Sequence, residues 1–188
     1  TSAEEAPDSL AERVNNRSRR PSSDAFREFM GSQWGPRPDP GITRSAVADY
    51  LPARATAAGE PFAGERLVIP AGSYKVRSND CTYRFRAYSA FAHLSGLGQE
   101  REPDSVIVLE PLPEGGHEAV LYFKPRTSRS SQEFYSDSRY GEFWVGARPS
   151  LEEVATETGL RCEHIDTLHD ALAKDAGIVR LRVVRNVD

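Results

Sequence analysis

Four short runs of β-favouring residues constrain the fold of this chain more than any other feature. They lie at 67–69, 105–109, 118–123 and 178–184. Proline and glycine bound the first run, and the turn-rich segment 111–116 joins the second to the third. This pattern predicts core strands and one hairpin. The last run alternates so that one face is almost wholly aliphatic, which predicts a half-exposed strand. A shorter aromatic and β-branched piece at 143–145 is interpreted as a further strand.

Helix signals alternate with these runs. Capping residues predict four helices, opened by Ser22 or Ser23, by Thr43 or Ser45, by Ser150, and by Asp166 or Thr167. Pro52 must kink or interrupt the second helix before Gly59. The third should end near Gly159 and the fourth near Gly177. Strands that alternate with helices favour an α/β fold, here a mixed β-sheet flanked by helices in a single domain.

The chain divides into three stretches by composition. Its 188 residues, of which 38% are hydrophobic, suffice for one sizeable core. Residues 1–21 are polar and predict a flexible tail, 22–59 a helical N-terminal extension, and 60–188 the main domain. Arginines at 17–20 could form a nucleic-acid arm, but the acidic residues before them cancel that charge.

Charge and composition exclude several classes of partner. The net charge is only −4, which favours neither nucleic acid nor an anionic membrane as a binding partner. No stretch reaches the ~18 apolar residues of a membrane span, and the first residues lack the features of a secretory signal. We therefore expect a cytoplasmic protein in which Cys81 and Cys162 are free thiols. The Ser/Arg-rich stretch 126–139 could bind anions, but its mixed charge favours a solvated loop.

The sequence offers no self-contained catalytic motif. The histidines are scattered, and no His-Glu-x-x-His pattern places two metal ligands on one helix face. No serine has the context of a nucleophile elbow, and Gly96-Leu97-Gly98 lacks the third glycine of the dinucleotide fingerprint. We therefore expect this chain to hold no catalytic residue, metal or cofactor of its own.

One window is unusually dense in charge and aromatic residues. Residues 77–96, here called the signature segment, read Arg-Ser-Asn-Asp-Cys-Thr-Tyr-Arg-Phe-Arg-Ala-Tyr-Ser-Ala-Phe-Ala-His-Leu-Ser-Gly. They form a long connection between two predicted core strands, and such connections are often functional. On physical grounds alone, an aromatic loop that merely packs on the sheet is an equally good reading.

The signature segment resembles the characteristic motif of the aminopeptidase P N-terminal domain, in the creatinase/prolidase superfamily. Its surroundings are similar too: a strand ending in Pro-Ala-Gly precedes it, and a Val-Ile-Val-Leu strand follows. Further on, Phe-Trp-Val-Gly-x-Arg-Pro at 143–149 resembles the family's Trp-x-Gly segment. The resemblance covers residues 60–188. Arg84 and Ala90 stand where family members often carry proline and an acidic residue.

The resemblance implies that the catalytic chemistry lies in a C-terminal domain absent from this chain. There, a hydroxide that bridges two divalent metals, usually manganese, would attack the bond before proline in Xaa-Pro peptides. This domain would help to shape the cleft and to assemble a homo-oligomer. Asp80 would approach the active site within its own subunit, and Trp144 across a subunit contact. The candidate cleft or contact residues are Asp80, Tyr83, Arg86, Phe91, His93 and Trp144.

Two alternatives remain open at this point. A prolidase or creatinase would share the fold and act on other substrates, although the motif fits aminopeptidase P better. A free-standing binding or scaffold module could use the same fold without chemistry. The coding sequence after Asp188 would separate the peptidase from the module.

Overall fold

The structure is a computed structural model that describes residues 23–79 and 81–187. The predicted tail at 1–21 and the candidate Asp80 therefore lie outside the described residues. The chain divides into two compact units. The larger consists of Asp39–Pro125 and Arg148–Asp188, and the described part of the smaller consists of residues 23–38 and 126–147.

All strands of the described chain belong to the larger unit. They are β1 (Arg66–Pro70), β2 (Val76–Ser78), β3 (Cys81–Thr82), β4 (Val106–Pro111), β5 (His117–Phe123), β6 (Arg161–His164) and β7 (Leu181–Val183). Five of them form one sheet in the order β6-β5-β4-β1-β7, and β2 pairs with β3 apart from it. Pairs β1–β4 and β4–β5 are antiparallel, whereas β5–β6 and β1–β7 are parallel. The predicted mixed sheet and its hairpin are confirmed. The last strand is shorter and more exposed than predicted: β7 covers only Leu181–Val183, and all three residues are exposed at the edge of the sheet.

The helices are α1 (Asp24–Gly31), α2 (Leu51–Gly59), α3 (Ser89–Ser95), α4 (Gln132–Ser136), α5 (Glu142–Val145), α6 (Leu151–Thr158) and α7 (Leu168–Ala173). Short 3₁₀ turns occupy Ala46–Tyr50, Glu60–Phe62 and Ile165–Thr167. Helices α1, α4 and α5 belong to the smaller unit, and the others belong to the larger.

Local capping chemistry explains several helix boundaries. Ser23 caps α1, and Ser150 forms a capping box with Glu153 at the start of α6, both as predicted. Ser45 caps the 3₁₀ turn that leads into α2, and Pro52 lies in the first turn of α2. A proline is tolerated there because its missing N–H would have no helical partner. Pro52 therefore marks the change of helix type rather than a kink.

Two predictions of local structure are wrong. Residues 143–145 lie in helix α5, because Glu142 and the glycines on either side allow a single helical turn that the strand propensity did not reveal. The stretch 126–139 is not a solvated loop, because it contains helix α4 with Phe134 and Tyr135 buried. The fourth predicted helix, α7, has Thr167 at its N-cap position as predicted, but Thr167 makes no side-chain capping hydrogen bond. The Nδ1 atom of His164 accepts the backbone N–H of Asp166 at 3.2 Å and starts the 3₁₀ turn before α7.

Alternating side chains bury both faces of the sheet. One face packs against α2, α3 and α6 through Leu67, Ile69, Ile107, Leu109, Leu121 and Phe123. The opposite face packs against α7 through Val68, Val108, Val120 and Tyr122. The first face is where the signature segment attaches. The domain boundary predicted at residue 60 stays a prediction. Helix α2, which precedes it, contributes Ala55 to this core, and Leu51 of the same helix is also buried.

A buried arginine joins strands β1 and β4 to the residues after α7. Arg66 donates to Glu110 and to Asp175, each at 2.7 Å. Burial alone would lower the pKa of Arg66, but the hydrogen bonds to Asp175 and Glu110 outweigh it and raise the pKa. This guanidinium therefore remains charged inside the fold. No helix in the described part of the chain is long and apolar enough to cross a membrane.

Candidate functional site

The signature segment folds into a small hairpin, β2 and β3, followed by helix α3. Two backbone hydrogen bonds fix its path. The N–H of Tyr83 donates to the carbonyl of Lys75 at 2.9 Å, and the N–H of Tyr88 donates to the carbonyl of Ala71 at 2.9 Å. The long connection predicted from the sequence is thus an ordered structure that is tied to the end of β1.

The inward residues of the signature segment belong to the main core. Phe91 is fully buried, and Phe85 and Leu94 are each 4% exposed. Gly96 ends α3 with φ of +68°, and a Cβ atom there would lie 3.1 Å from Cγ1 of Val47. A position with a left-handed backbone conformation and so little space for a side chain strongly favours glycine. Packing therefore explains the presence of Phe85, Phe91, Leu94 and Gly96 in the motif.

The outward residues of the same segment face solvent on a fixed backbone. Tyr83 is 58% exposed, and Arg86 and His93 are also exposed. Arg54 of α2 donates from Nη1 to the backbone carbonyl of His93 at 2.9 Å, which holds the outer side of α3. The structure thus brings Tyr83, Arg86 and His93 to the surface, whereas it places Phe91 in the core.

A buried ion pair supports the loop between the signature segment and β4. The Nη2 atom of Arg148 donates to Oε2 of Glu102 at 3.1 Å and to the carbonyl of Lys124 at 2.6 Å. Burial raises the pKa of Glu102, against the opposing pull of Arg148 and Arg101. Arg101 forms two hydrogen bonds with Glu157 of α6. These charges tie the loop to the strand exit after β5 and to α6.

A cavity of about 250 Å³ lies beside this loop in the larger unit. Its wall combines the end of β1, the residues that precede β4 and the last described residue, and consists of Pro70, Gly72, Ser73, Asp104, Ser105 and Val187. The volume is at the lower end of what small-molecule sites enclose. None of the five candidate residues that the structure describes lines the cavity.

Trp144 lies on α5 in the smaller unit, and residues 126–147 are called the tryptophan segment here. Its indole Nε1 donates to the carbonyl of Tyr135 at 2.7 Å, yet the side chain is 59% exposed. Gly141 precedes α5, where a Cβ atom would come within 2.5 Å of the carbonyl oxygens of Glu133 and Asp137. Gly146 follows with φ of +84°. A short helix between two glycines therefore holds an indole at the surface.

The described residues offer little for catalysis of their own. Among residues 23–79 and 81–187, no three His, Cys, Asp or Glu side chains are grouped so that they could hold a metal ion. Both cysteines are free. Burial raises the pKa of Cys162 to about 12, so its thiol is protonated and unreactive near neutral pH.

Comparison with known proteins decides the family. The family model of the aminopeptidase P N-terminal domain matches residues 50–180 of the chain. The chain belongs to this family. The match includes the signature segment, the tryptophan segment and every strand of the five-stranded sheet except β7, and it leaves α1 outside.

The curated relatives of this aminopeptidase P N-terminal domain are bacterial peptidases. Xaa-Pro aminopeptidase 2 of Streptomyces coelicolor is 40% identical over 160 residues, which are 85% of this chain and 33% of the relative. Xaa-Pro aminopeptidase 1 of the same organism is 42% identical over 167 residues, 88% of this chain and 32% of the relative. The chain thus spans about a third of the length of these relatives.

Solved structures show the same fold. Proline aminopeptidase P II from Yersinia pestis has a TM-score of 0.53 and 25% identity, over 66% of this chain and 26% of that one. Aminopeptidase P from E. coli with the inhibitor Pro-Leu has a TM-score of 0.60 and 21% identity, over 76% of this chain and 30% of that one. At 21% identity, the similarity to the E. coli structure shows the fold alone.

Sequence reasoning did not single out Arg37, Glu102 or Arg148, whose side chains support the candidate segments. Glu102 lies in the acidic, proline-containing turn shortly before a buried strand, and Arg148 is the arginine of the segment 143–149. A charged residue beside buried elements is a signal for a buried ion pair, because an unpaired charge would be costly there. The partner of each is distant in sequence, and no local pattern identifies it.

Proposed function

We propose that this chain is the non-catalytic N-terminal domain of a metal-dependent Xaa-Pro aminopeptidase, which removes the N-terminal residue that precedes proline. The observation that carries the proposal is the family match over residues 50–180, together with relatives named Xaa-Pro aminopeptidase at 40% and 42% identity. In this role the domain contributes to the substrate cleft and to the assembly of subunits.

The proposed cleft wall is the outer side of the signature segment. Tyr83, Arg86 and His93 are exposed side chains on a backbone that the core fixes through Phe91. A binding surface of this kind needs exposed groups on a rigid support, because a loose side chain would lose conformational entropy on binding. Asp80, which lies outside the described residues, is proposed to contribute to the same cleft.

Trp144 is proposed to contact the active site of a neighbouring subunit and to wall the pocket for the proline ring. An exposed indole is a large apolar surface, and its only hydrogen-bond donor is already occupied by the carbonyl of Tyr135. The remaining ring surface is free to pack on an apolar ring. This role requires a homo-oligomer of the parent enzyme.

The reaction itself is proposed to belong to a C-terminal catalytic domain of the parent enzyme. Two divalent metals, manganese by preference, would activate water there and stabilise the developing oxyanion. The donor groups described in this chain do not fit such a centre, since no three of them converge. The remaining partners are Xaa-Pro peptides, and we expect the parent enzyme to work in the cytoplasm.

The proposal is tested with the purified chain and with a chimera. In the chimera, this chain replaces the matching N-terminal third of Xaa-Pro aminopeptidase 2 of Streptomyces coelicolor. We expect the chimera to release the first residue of an Xaa-Pro peptide in the presence of manganese. The chain alone should bind manganese well below one equivalent and cleave no such peptide, because its ligand-type side chains do not converge.

Each half of this experiment has a result that contradicts the proposal. Stoichiometric manganese or peptide cleavage by the pure chain would show chemistry within it. A folded, metal-loaded chimera without activity would favour a binding module. Reading the coding sequence after Asp188 adds an independent check, because a peptidase must encode metal-ligating Asp, His and Glu residues there.

A further inference from the structure

Residues 23–38 pack directly on the tryptophan segment. Residues 23–38, here called the leading segment, share one compact unit with residues 126–147. They lie outside the region that the family model matches, which begins at residue 50. The contacts between the two segments are of three kinds: an ion pair, aromatic packing and backbone recognition.

The ion pair joins the leading segment to the start of α5. Arg37 donates from Nη1 to Oε1 of Glu142 at 2.6 Å, and from Nη2 to the carbonyl of Thr127 at 3.2 Å. The side chain of Glu142 is only 7% exposed. Hydrogen-bonded charge pairs with so little solvent are stronger and more directional than surface pairs. Arg37 therefore holds the helical turn that carries Trp144.

Aromatic packing connects the leading segment to the same turn by a second route. The ring of Trp34 lies edge-to-face on Phe134 at 5.1 Å, Phe134 on Phe143 at 6.5 Å, and Phe143 on Trp144 at 5.9 Å. Phe26 of α1 packs edge-to-face on Tyr135 at 5.4 Å. Tyr135 is the residue whose carbonyl accepts the indole N–H of Trp144.

Backbone recognition completes the contact. Arg129 donates to the carbonyl of Gly35 at 2.5 Å and stacks over the ring of Trp34 at 5.5 Å. A Cβ atom on Gly31 would lie 2.8 Å from Cα of Ser130, so α1 approaches the tryptophan segment as closely as a glycine allows. The leading segment is thus fitted to this surface at several independent points.

We propose that Arg37 and Trp34 are positioning residues that hold Trp144 in its exposed orientation. The inference rests on the proposed function, in which Trp144 contacts the substrate site. It assigns the leading segment a role in the enzyme: a support for the tryptophan, built from residues that precede the family domain. Loss of either residue should loosen α5 and free the indole from the carbonyl of Tyr135.

The test uses the indole N–H signals of the whole chain in a ¹⁵N–¹H spectrum. The chain has two tryptophans, and Trp144→Phe assigns their signals. In Arg37→Met and in Trp34→Leu, we expect the Trp144 signal to shift and its N–H to exchange with solvent about tenfold faster, because local opening becomes easier. Trp34→Leu also leaves Trp144 as the single indole.

Arg44→Met is the matched control. It removes an arginine from an exposed pair with Asp49, at 3.2 Å, that does not involve the tryptophan segment. Its Trp144 signal should be that of the wild type. A wild-type Trp144 signal and exchange rate in both test variants would overturn the proposal.

A more conservative variant is used if Arg37→Met does not fold. Arg37→Lys keeps the charge but loses the planar guanidinium whose two nitrogens donate to Glu142 and to the carbonyl of Thr127, so it should give an intermediate exchange rate. An unchanged rate in folded Arg37→Lys and Trp34→Leu would again overturn the proposal. No peptide substrate enters the measurement, so an inactive parent protein would refute the proposed function and leave this result unaffected.

Discussion

The signature segment and the tryptophan segment both present exposed side chains on a fixed backbone, but they are fixed by different means. The signature segment inserts Phe85, Phe91 and Leu94 into the core of the sheet. The tryptophan segment contains no strand, and its helices contact a set of aromatic side chains and Arg37. The signature segment is held by the nonpolar core of the sheet. The tryptophan segment is held in part by Arg37, which is about a hundred positions away in the sequence.

This difference teaches how tolerant each region should be. A residue that is anchored in a shared core cannot be loosened without weakening the whole domain, because the same core stabilises the sheet. A residue that is anchored by a few polar and aromatic contacts can be loosened locally. Substitutions beneath the signature segment should therefore lower global stability, and substitutions beneath Trp144 should change local order.

The largest expected effect is that of Phe91→Ala, which removes a fully buried ring from the core. We expect a loss of about 3–5 kcal/mol in the free energy of unfolding, from lost burial and a residual cavity. His93→Ala on the exposed side of the same helix is the matched control and should change stability by no more than about 0.5 kcal/mol. Urea denaturation followed by circular dichroism measures both.

The comparison would fail if these two variants had similar stabilities. In that case α3 would not divide into an anchoring face and a presenting face. Equal losses would also remove the physical basis for treating His93 as a surface residue available to a partner.

A smaller effect separates two carboxylates whose pKa values shift in opposite directions, the buried Glu102 and the partly buried Glu65. Burial raises the pKa of Glu102 above its ordinary value of 4.5. Its contribution to stability is thus fully present below pH 4.5 and is lost as the pH rises through the folded-state value. The advantage of wild type over Glu102→Gln should therefore shrink as the pH rises above 4.5.

Glu65 provides the opposite sign. A hydrogen bond from Arg182 lowers the pKa of Glu65, so its contribution is present above pH 4.5 and is lost as the pH falls through the lowered value. The advantage of wild type over Glu65→Gln should grow in the interval below pH 4.5 as the pH rises. Denaturation midpoints between pH 3 and 7, roughly the range that carboxylates titrate over, test both signs. Parallel curves for the two variants would contradict the assigned environments.

The sequence predicted the features that depend on local chemistry. The hairpin of β4 and β5 follows from two apolar runs and a turn between them, and the capping box at Ser150 can be read directly from four residues. The family also followed from an ungapped motif, which the match over residues 50–180 confirms. Each of these signals occupies a short stretch of chain.

The features that sequence reasoning missed depend on tertiary context. Strand β6 lacks an aliphatic run, and it forms because β5 offers a parallel edge to pair with. Residues 143–145 have strand propensity and yet form α5, which packing and the glycines on either side permit. The roles of Arg37 and Arg148 require knowledge of distant partners. The exposure of Tyr83 and the burial of Phe91 likewise follow from the fold and not from the motif.

The central claim is that exposed residues of this chain serve a proline-specific active site. It is tested most directly by kcat/KM of the chimera toward an Xaa-Pro peptide, measured with the melting temperature of each preparation. Trp144→Ala should lower kcat/KM about tenfold, which corresponds to about 1.4 kcal/mol, and leave the melting temperature nearly unchanged, because the side chain is 59% exposed. Asp80→Asn should also lower kcat/KM. An unchanged kcat/KM in both variants, or a loss of activity that only follows unfolding, would contradict the claim.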